Sequence, residues 1–170
     1  MMAYHDCRWC KPEHDDKELF AMLILEGAQA GLSWSTIINR EDNYRAAFDG
    51  FDPQIVASYD AEKIEELMRN EGIIRNRSKI FSVRKNALAV QKIRKEFGSF
   101  DAYLWSFCEG KVIDGRWKDV KQMPVENEVS RRMSADMKKR GMSFVGPVIT
   151  YSFLQAIGIV NDHLIDCEYR

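Results

Sequence analysis

The sequence predicts an all-α fold. Apolar residues return at three- and four-residue steps along most of the chain. Acidic and hydroxyl caps and glycine stops punctuate these stretches, and no run alternates apolar with polar residues as a half-buried strand would. Asp15 and Asp16 are placed to cap a helix over about Lys17–Ala30, where acidic side chains meet the positive end of the helix dipole. Gly31 stops it, and Leu32–Arg40 begins a second helix. Tyr44–Phe48 carries a short amphipathic turn. Pro53 opens another short helix at a position where its missing amide donor costs nothing. Asp60 caps Ala61–Asn70, with Ile64, Leu67 and Met68 at helical spacing. Beyond Gly72, the stretch Ile73–Phe97 repeats the pattern through Ile80, Val83, Ala87, Val90 and Ile93. Phe100–Phe107 is a short aromatic helix, and Glu109–Pro124, with glycines at 110 and 115, is a loop or irregular crossing. Glu126–Arg140 and Val145–Ile157 are the last two helices. With no linker, repeat or low-complexity segment, residues 1–170 are expected to form one unit.

The composition limits the function classes. At 45% apolar and 11% aromatic residues, the chain can bury a sizeable core and is no candidate for disorder. Its 25 lysines and arginines nearly balance 26 acidic residues, so any attraction to phosphate must come from a local basic patch. No apolar run is long enough to cross a membrane, and Met1 leads straight into a polar segment. The expectation is a cytoplasmic protein with reduced thiols and no membrane partner. Cys7, Cys10, Cys108 and Cys167 are then free thiols or metal ligands rather than disulfides.

Four segments carry candidate chemistry. In Arg140-Gly141-Met142-Ser143-Phe144-Val145-Gly146-Pro147, a glycine-bounded turn joins two helices. It can point bare amides outward at a helix N-terminus and hold a phosphate, with Lys138, Lys139 and Arg140 supplying cations; an ordinary helix–helix turn is the alternative. Arg75, Arg77 and Lys79 lie at two-residue spacing, so they cannot share one helical face; they either line a DNA cleft or start a solvated helix. Glu26 shares a helical stripe with Leu19, Leu23 and Ala30. A carboxylate on an apolar face needs a partner, either an internal arginine or a ligand in a pocket. Trp34 offers a flat π-surface close by. Finally, His163 and Cys167 are four apart and could share a metal with His5.

Taken together, these residues resemble the DNA-3-methyladenine glycosylase I family. The likeness runs from Tyr4-His5-Asp6 through Leu25-Glu26-Gly27-x-Gln29-Ala30-Gly31-Leu32-Ser33-Trp34 and Gly72-Ile73-Ile74-Arg75-x-Arg77. It continues through Lys138-Lys139-Arg140-Gly141, Phe144-Val145-Gly146-Pro147 and Tyr151-Ser152-Phe153-x-Gln155-Ala156 to Val160-Asn161-Asp162-His163. The resemblance implies a helix-hairpin-helix glycosylase over about 130–157, with helical lobes around a base-binding cleft. It implies an enzyme that removes 3-methyladenine from alkylated double-stranded DNA, acting as a monomer, by hydrolysis and without strand cleavage. A non-catalytic reader of damaged DNA is the alternative on the same scaffold. Glu26 is then the catalytic and base-accepting residue, and Tyr4 and Trp34 stack on the flipped base. Lys138, Lys139, Arg140, Gly141, Val145 and Gly146 meet DNA. The resemblance also implies a structural zinc ion on His5, His163 and Cys167, the chain's termini meeting at that site. The family places a further cysteine ligand and a pocket tyrosine ahead of its Tyr-His-Asp block. Cys7 or Cys10 could supply the fourth ligand here. Glu26 is expected to stay ionised and to attract the positively charged lesion.

Overall fold

The computed structural model describes residues 2–170. Among them ten α-helices dominate: α1 (Met2–Cys7), α2 (Asp16–Gln29), α3 (Trp34–Ile38), α4 (Glu41–Ala47), α5 (Pro53–Ala57), α6 (Ala61–Arg69), α7 (Arg77–Phe97), α8 (Phe100–Ser106), α9 (Glu128–Lys139) and α10 (Pro147–Ala156). The caps explain most boundaries. Asp15 accepts from the amides of Lys17 and Glu18, Asp52 from Gln54 and Ile55, Asp60 from Lys63, Asn76 from Lys79, and Asn127 from Ser130.

At the centre lies α2, where every residue from Leu19 to Ala28 is buried. It is apolar around nearly its whole circumference, and α10, α8, α7 and α3 pack on it. A single apolar cluster runs from Tyr4 through α2, Phe48, Phe51, Ile93, Tyr103 and Phe153 to Val160.

Three features depart from the sequence expectations. Helix α1, which carries Tyr4 and His5, was not expected; six residues around one buried side chain leave little periodicity to detect. The stretch preceding α7 is extended rather than helical up to Asn76, whose side chain caps the helix. A two-residue parallel pairing joins β1 (Ile113–Asp114) to β2 (Val160–Asn161), where no strand was expected. Two residues per strand are too few for alternation to show. This pairing anchors the 109–124 crossing to the C-terminal segment. The N-terminal segment is tied to the same region, Cys10 N–H donating to Gln155 O (2.9 Å) and Glu13 N–H to Ile157 O (3.1 Å).

Candidate functional site

A cavity of about 170 Å³ opens among α1, α2, α3 and α10, lined by Tyr4, Trp9, Glu26, Gln29, Trp34, Ser152 and Gln155. The three residues expected to hold a base therefore do converge. Glu26 reaches the cavity from the core helix and is only 4% exposed. No guanidinium meets it, and its Oε2 is buried without a hydrogen-bond partner among the described residues. Arg8, beside Tyr4 of the cavity wall, is held elsewhere: it donates to both oxygens of Glu41 (2.7 and 3.0 Å), which Arg45 bridges to Glu18. Arg8 in turn lies over the Tyr4 ring, 5.5 Å from its centroid. Tyr4 and Trp34 sit with ring centroids 5.2 Å apart, tilted by 53°. Trp34 Nε1 is a second buried polar atom without a partner. An acceptor and a donor left unsatisfied at one cavity are what a ligand would complete.

Burial without a counter-charge pushes the Glu26 carboxyl from the ordinary 4.5 up to about 8. Burial thus favours the protonated acid, against the expectation of a standing carboxylate. Burial and the nearby Glu26 likewise hold the Tyr4 phenol in its protonated form.

The turn between α9 and α10 leads into the helix that carries Ser152 and Gln155 and touches Gly27 through Phe144. Gly141 takes φ +91°, Phe144 takes φ +58°, and Gly146 leads into α10 with Pro147 at its first position. The loop is latched from three sides. The Asn86 side chain donates to Ser143 O (3.0 Å) and accepts from Ser143 N–H (2.9 Å), while the Ser134 and Thr150 hydroxyls both donate to Val145 O. Among the described residues no acceptor meets the amides of Phe144, Val145 or Gly146, and a Cβ on Gly146 would meet nothing within 4 Å. Lys138 and Lys139 are exposed and join no ion pair among the described residues. Arg140 differs from the expectation: it pairs with Glu96 (2.7 Å) and Asp136 (2.6 Å), so its charge is already compensated within the fold.

His5, His163 and Cys167 are brought together, their ligand atoms all within 4.8 Å of one another. Cys167 Sγ lies 3.4 Å from His163 Nδ1, about the separation of two ligands on one tetrahedral zinc. The outward nitrogens are oriented as metal-bound imidazoles usually are: His163 Nε2 faces Trp9 O (3.2 Å), and His5 Nδ1 faces the Asp6 carboxylate (2.8 Å). The residues present therefore fit the ion. Neither Cys7 nor Cys10 joins them. Cys10 Sγ instead accepts the Asp162 N–H.

Sequence reasoning missed Trp9, Gln29, Ser152 and Gln155 as cavity residues. Gln29 lies three residues after Glu26 on the same helical face, and Ser152 and Gln155 share the spacing on α10, so periodicity held a signal for three of the four. Trp9 follows α1 outside regular structure and gave none.

The methyladenine glycosylase family matches residues 1–170. The DNA-3-methyladenine glycosylase of Haemophilus influenzae is 43% identical over 167 residues, covering 98% of this chain and 90% of that protein. DNA-3-methyladenine glycosylase 1 of Escherichia coli is 43% identical over 166 residues, covering 98% and 89%. Among solved structures, 3-methyladenine DNA glycosylase I from Staphylococcus aureus superposes with a TM-score of 0.97 at 37% identity, covering 99% of this chain and 89% of that one. A variant of 3-methyladenine DNA glycosylase I in complex with 3-methyladenine gives 0.97 at 36% identity, covering 99% and 90%. With the all-helical architecture and the cavity already described, these matches show that the chain belongs to the methyladenine glycosylase family.

Proposed function

We propose that this chain is a DNA repair glycosylase that hydrolyses the N-glycosidic bond of 3-methyladenine in alkylated DNA, with the base flipped into the cavity beside Glu26. The observation that carries the reading is the unpaired, buried carboxyl of Glu26 facing a cavity walled by Tyr4 and Trp34. A structural acid would have a protein partner; this one has space in front of it.

The chemistry follows from the lesion. Methylation at N3 leaves the attached base positively charged, so its glycosidic bond is already weak and strong acid catalysis is unnecessary. What the protein must supply is discrimination. Aromatic faces favour the cationic base by about 0.5–2 kcal/mol. Entry of that cation beside Glu26 favours the charged form of the acid, so the carboxyl gives up its proton as the lesion binds. Uncharged adenine draws out no such charge. Flipping costs a few kcal/mol of unstacking. The open amides of Phe144, Val145 and Gly146 at the start of α10, with Lys138 and Lys139, would grip the backbone phosphates to offset it. Among the described residues no lysine lines the cavity to act as a Schiff-base nucleophile, which favours plain hydrolysis.

His5, His163 and Cys167 would hold a zinc ion whose role is structural. Bound there, it would tie α1, and thus Tyr4, to the C-terminal segment. The chain would act as a monomer in the cytoplasm on double-stranded DNA.

The test is release of free 3-methyladenine from methylated duplex DNA by the purified chain. Release at a rate well above spontaneous depurination supports the reading. Lesion binding without release would instead identify a non-catalytic reader.

A further inference from the structure

The chemistry above makes no use of Asp162, yet this residue is 1% exposed and accepts three side-chain hydrogen bonds. Its Oδ2 accepts from the Tyr151 hydroxyl (2.6 Å) and from Gln155 Nε2 (2.7 Å), and its Oδ1 accepts from Trp117 Nε1 (2.7 Å). A carboxylate has no proton to donate, so the Gln155 amide can meet it only nitrogen first. The orientation of a glutamine amide, ordinarily ambiguous, is fixed here by its partner. Gln155 Oε1 then accepts from no protein donor among the described residues, and Gln155 lines the same cavity as Glu26, one helical turn beyond Ser152.

The base itself determines what such an oxygen can meet. In 3-methyladenine within DNA, N9 carries the sugar, N3 carries the methyl group, and N1 and N7 offer lone pairs. Its one N–H donor is the exocyclic amino group, which the released base retains. We propose that Gln155 is a base-contacting specificity residue whose amide oxygen accepts from that amino group, and that Asp162 is the positioning residue holding this oxygen toward the base. The proposal rests on the glycosylase reading of the cavity. A purine with a carbonyl in place of the amino group would set oxygen against oxygen at this point and leave an acceptor unpaired.

The test is equilibrium binding of free 3-methyladenine and free 3-methylhypoxanthine to the full chain, read by tryptophan fluorescence. It is run on the unmodified protein and on Gln155→Met and Asp162→Asn, with the thermal midpoint of each. The unmodified chain binds 3-methyladenine in preference to 3-methylhypoxanthine; no binding of either base would sink the glycosylase reading rather than this proposal. Gln155→Met keeps the side-chain volume and lowers affinity for 3-methyladenine roughly tenfold, the worth of one hydrogen bond in such a pocket, with 3-methylhypoxanthine unchanged. Asp162→Asn can donate to Gln155 and turn its amide round, so affinity falls for 3-methyladenine and rises for 3-methylhypoxanthine. Unaltered 3-methyladenine binding in Gln155→Met, or an equal loss for both bases, overturns the proposal. Should Asp162→Asn fail to fold, the two-base comparison in Gln155→Met decides it.

Discussion

Phe144 packs against the bare Cα of Gly27: a Cβ built on that glycine would stand 3.3 Å from Phe144 Cβ. The contact joins the turn between α9 and α10 to the residue directly following Glu26. The turn and the acid that lines the cavity are thereby held in one register.

Gly27→Ala should disturb both ends of that contact. The neighbour must give by a few tenths of an ångström in a packed core, at a cost of about 1–3 kcal/mol. We expect a lower thermal midpoint together with weaker base release, measured on the same preparation. A lost midpoint with full excision would show that the turn and the pocket are not coupled.

Glu26→Gln should cut excision on the order of a hundredfold, the equivalent of about 1.5–3 kcal/mol for a hydrogen bond to a charged group. Its effect on stability has the opposite sign and a defined pH window. An acid raised from 4.5 to about 8 holds its proton more tightly in the folded chain than in the unfolded one. Its contribution to stability is full below about 4.5, declines as pH rises, and is gone by about 8. Thermal midpoints between pH 5 and 9 should therefore fall for the unmodified chain relative to Glu26→Gln. Calorimetric binding of lesion DNA in buffers of different ionisation enthalpy should also show a proton released, absent in Glu26→Gln. Equal pH profiles for the two proteins would contradict the account.

Lys138→Glu and Lys139→Glu should weaken duplex binding and each reduce the slope of log affinity against log salt by about 1. Binding of the free base should not change. Arg140→Glu should act differently: it breaks the pairs with Glu96 and Asp136 and lowers the thermal midpoint. A salt slope altered by Arg140→Glu in a fully stable protein would return that residue to the DNA surface.

Metal analysis should find zinc in the purified chain, lost in His163→Ala and in Cys167→Ser and retained in Cys10→Ser. Chelation should lower the thermal midpoint and weaken 3-methyladenine binding, because α1 carries both His5 and Tyr4. Zinc lost in Cys10→Ser would assign that sulfur to the ion after all.

The sequence made the fold legible where amphipathic helices were long and capped by side chains, as at Asp15 and Asp60. It failed at α1 and at the Ile113–Val160 pairing, where elements of six and two residues owe their shape to distant partners. For the site, Glu26 stood out because a carboxyl in an apolar run demands an explanation. Its protonation did not, since that depends on how deeply the packed helices bury the carboxyl. Arg140 shows the same limit: a basic run reads as cationic until its partners, Glu96 from another helix among them, are known.

Gly158 runs so close over the backbone of Lys11 and Pro12 that any side chain there would overlap it. Lys11 and Pro12 are thus clasped by the turn that follows α10, and the recess beside Glu26 takes walls from α1 as well as from α10. During synthesis, Tyr4 and Trp9 wait for α10 to leave the ribosome before they meet Ser152 and Gln155 across the recess. Proteolytic removal of α1 should likewise abolish the recess outright, where a nick in the exposed 109–112 turn leaves it standing.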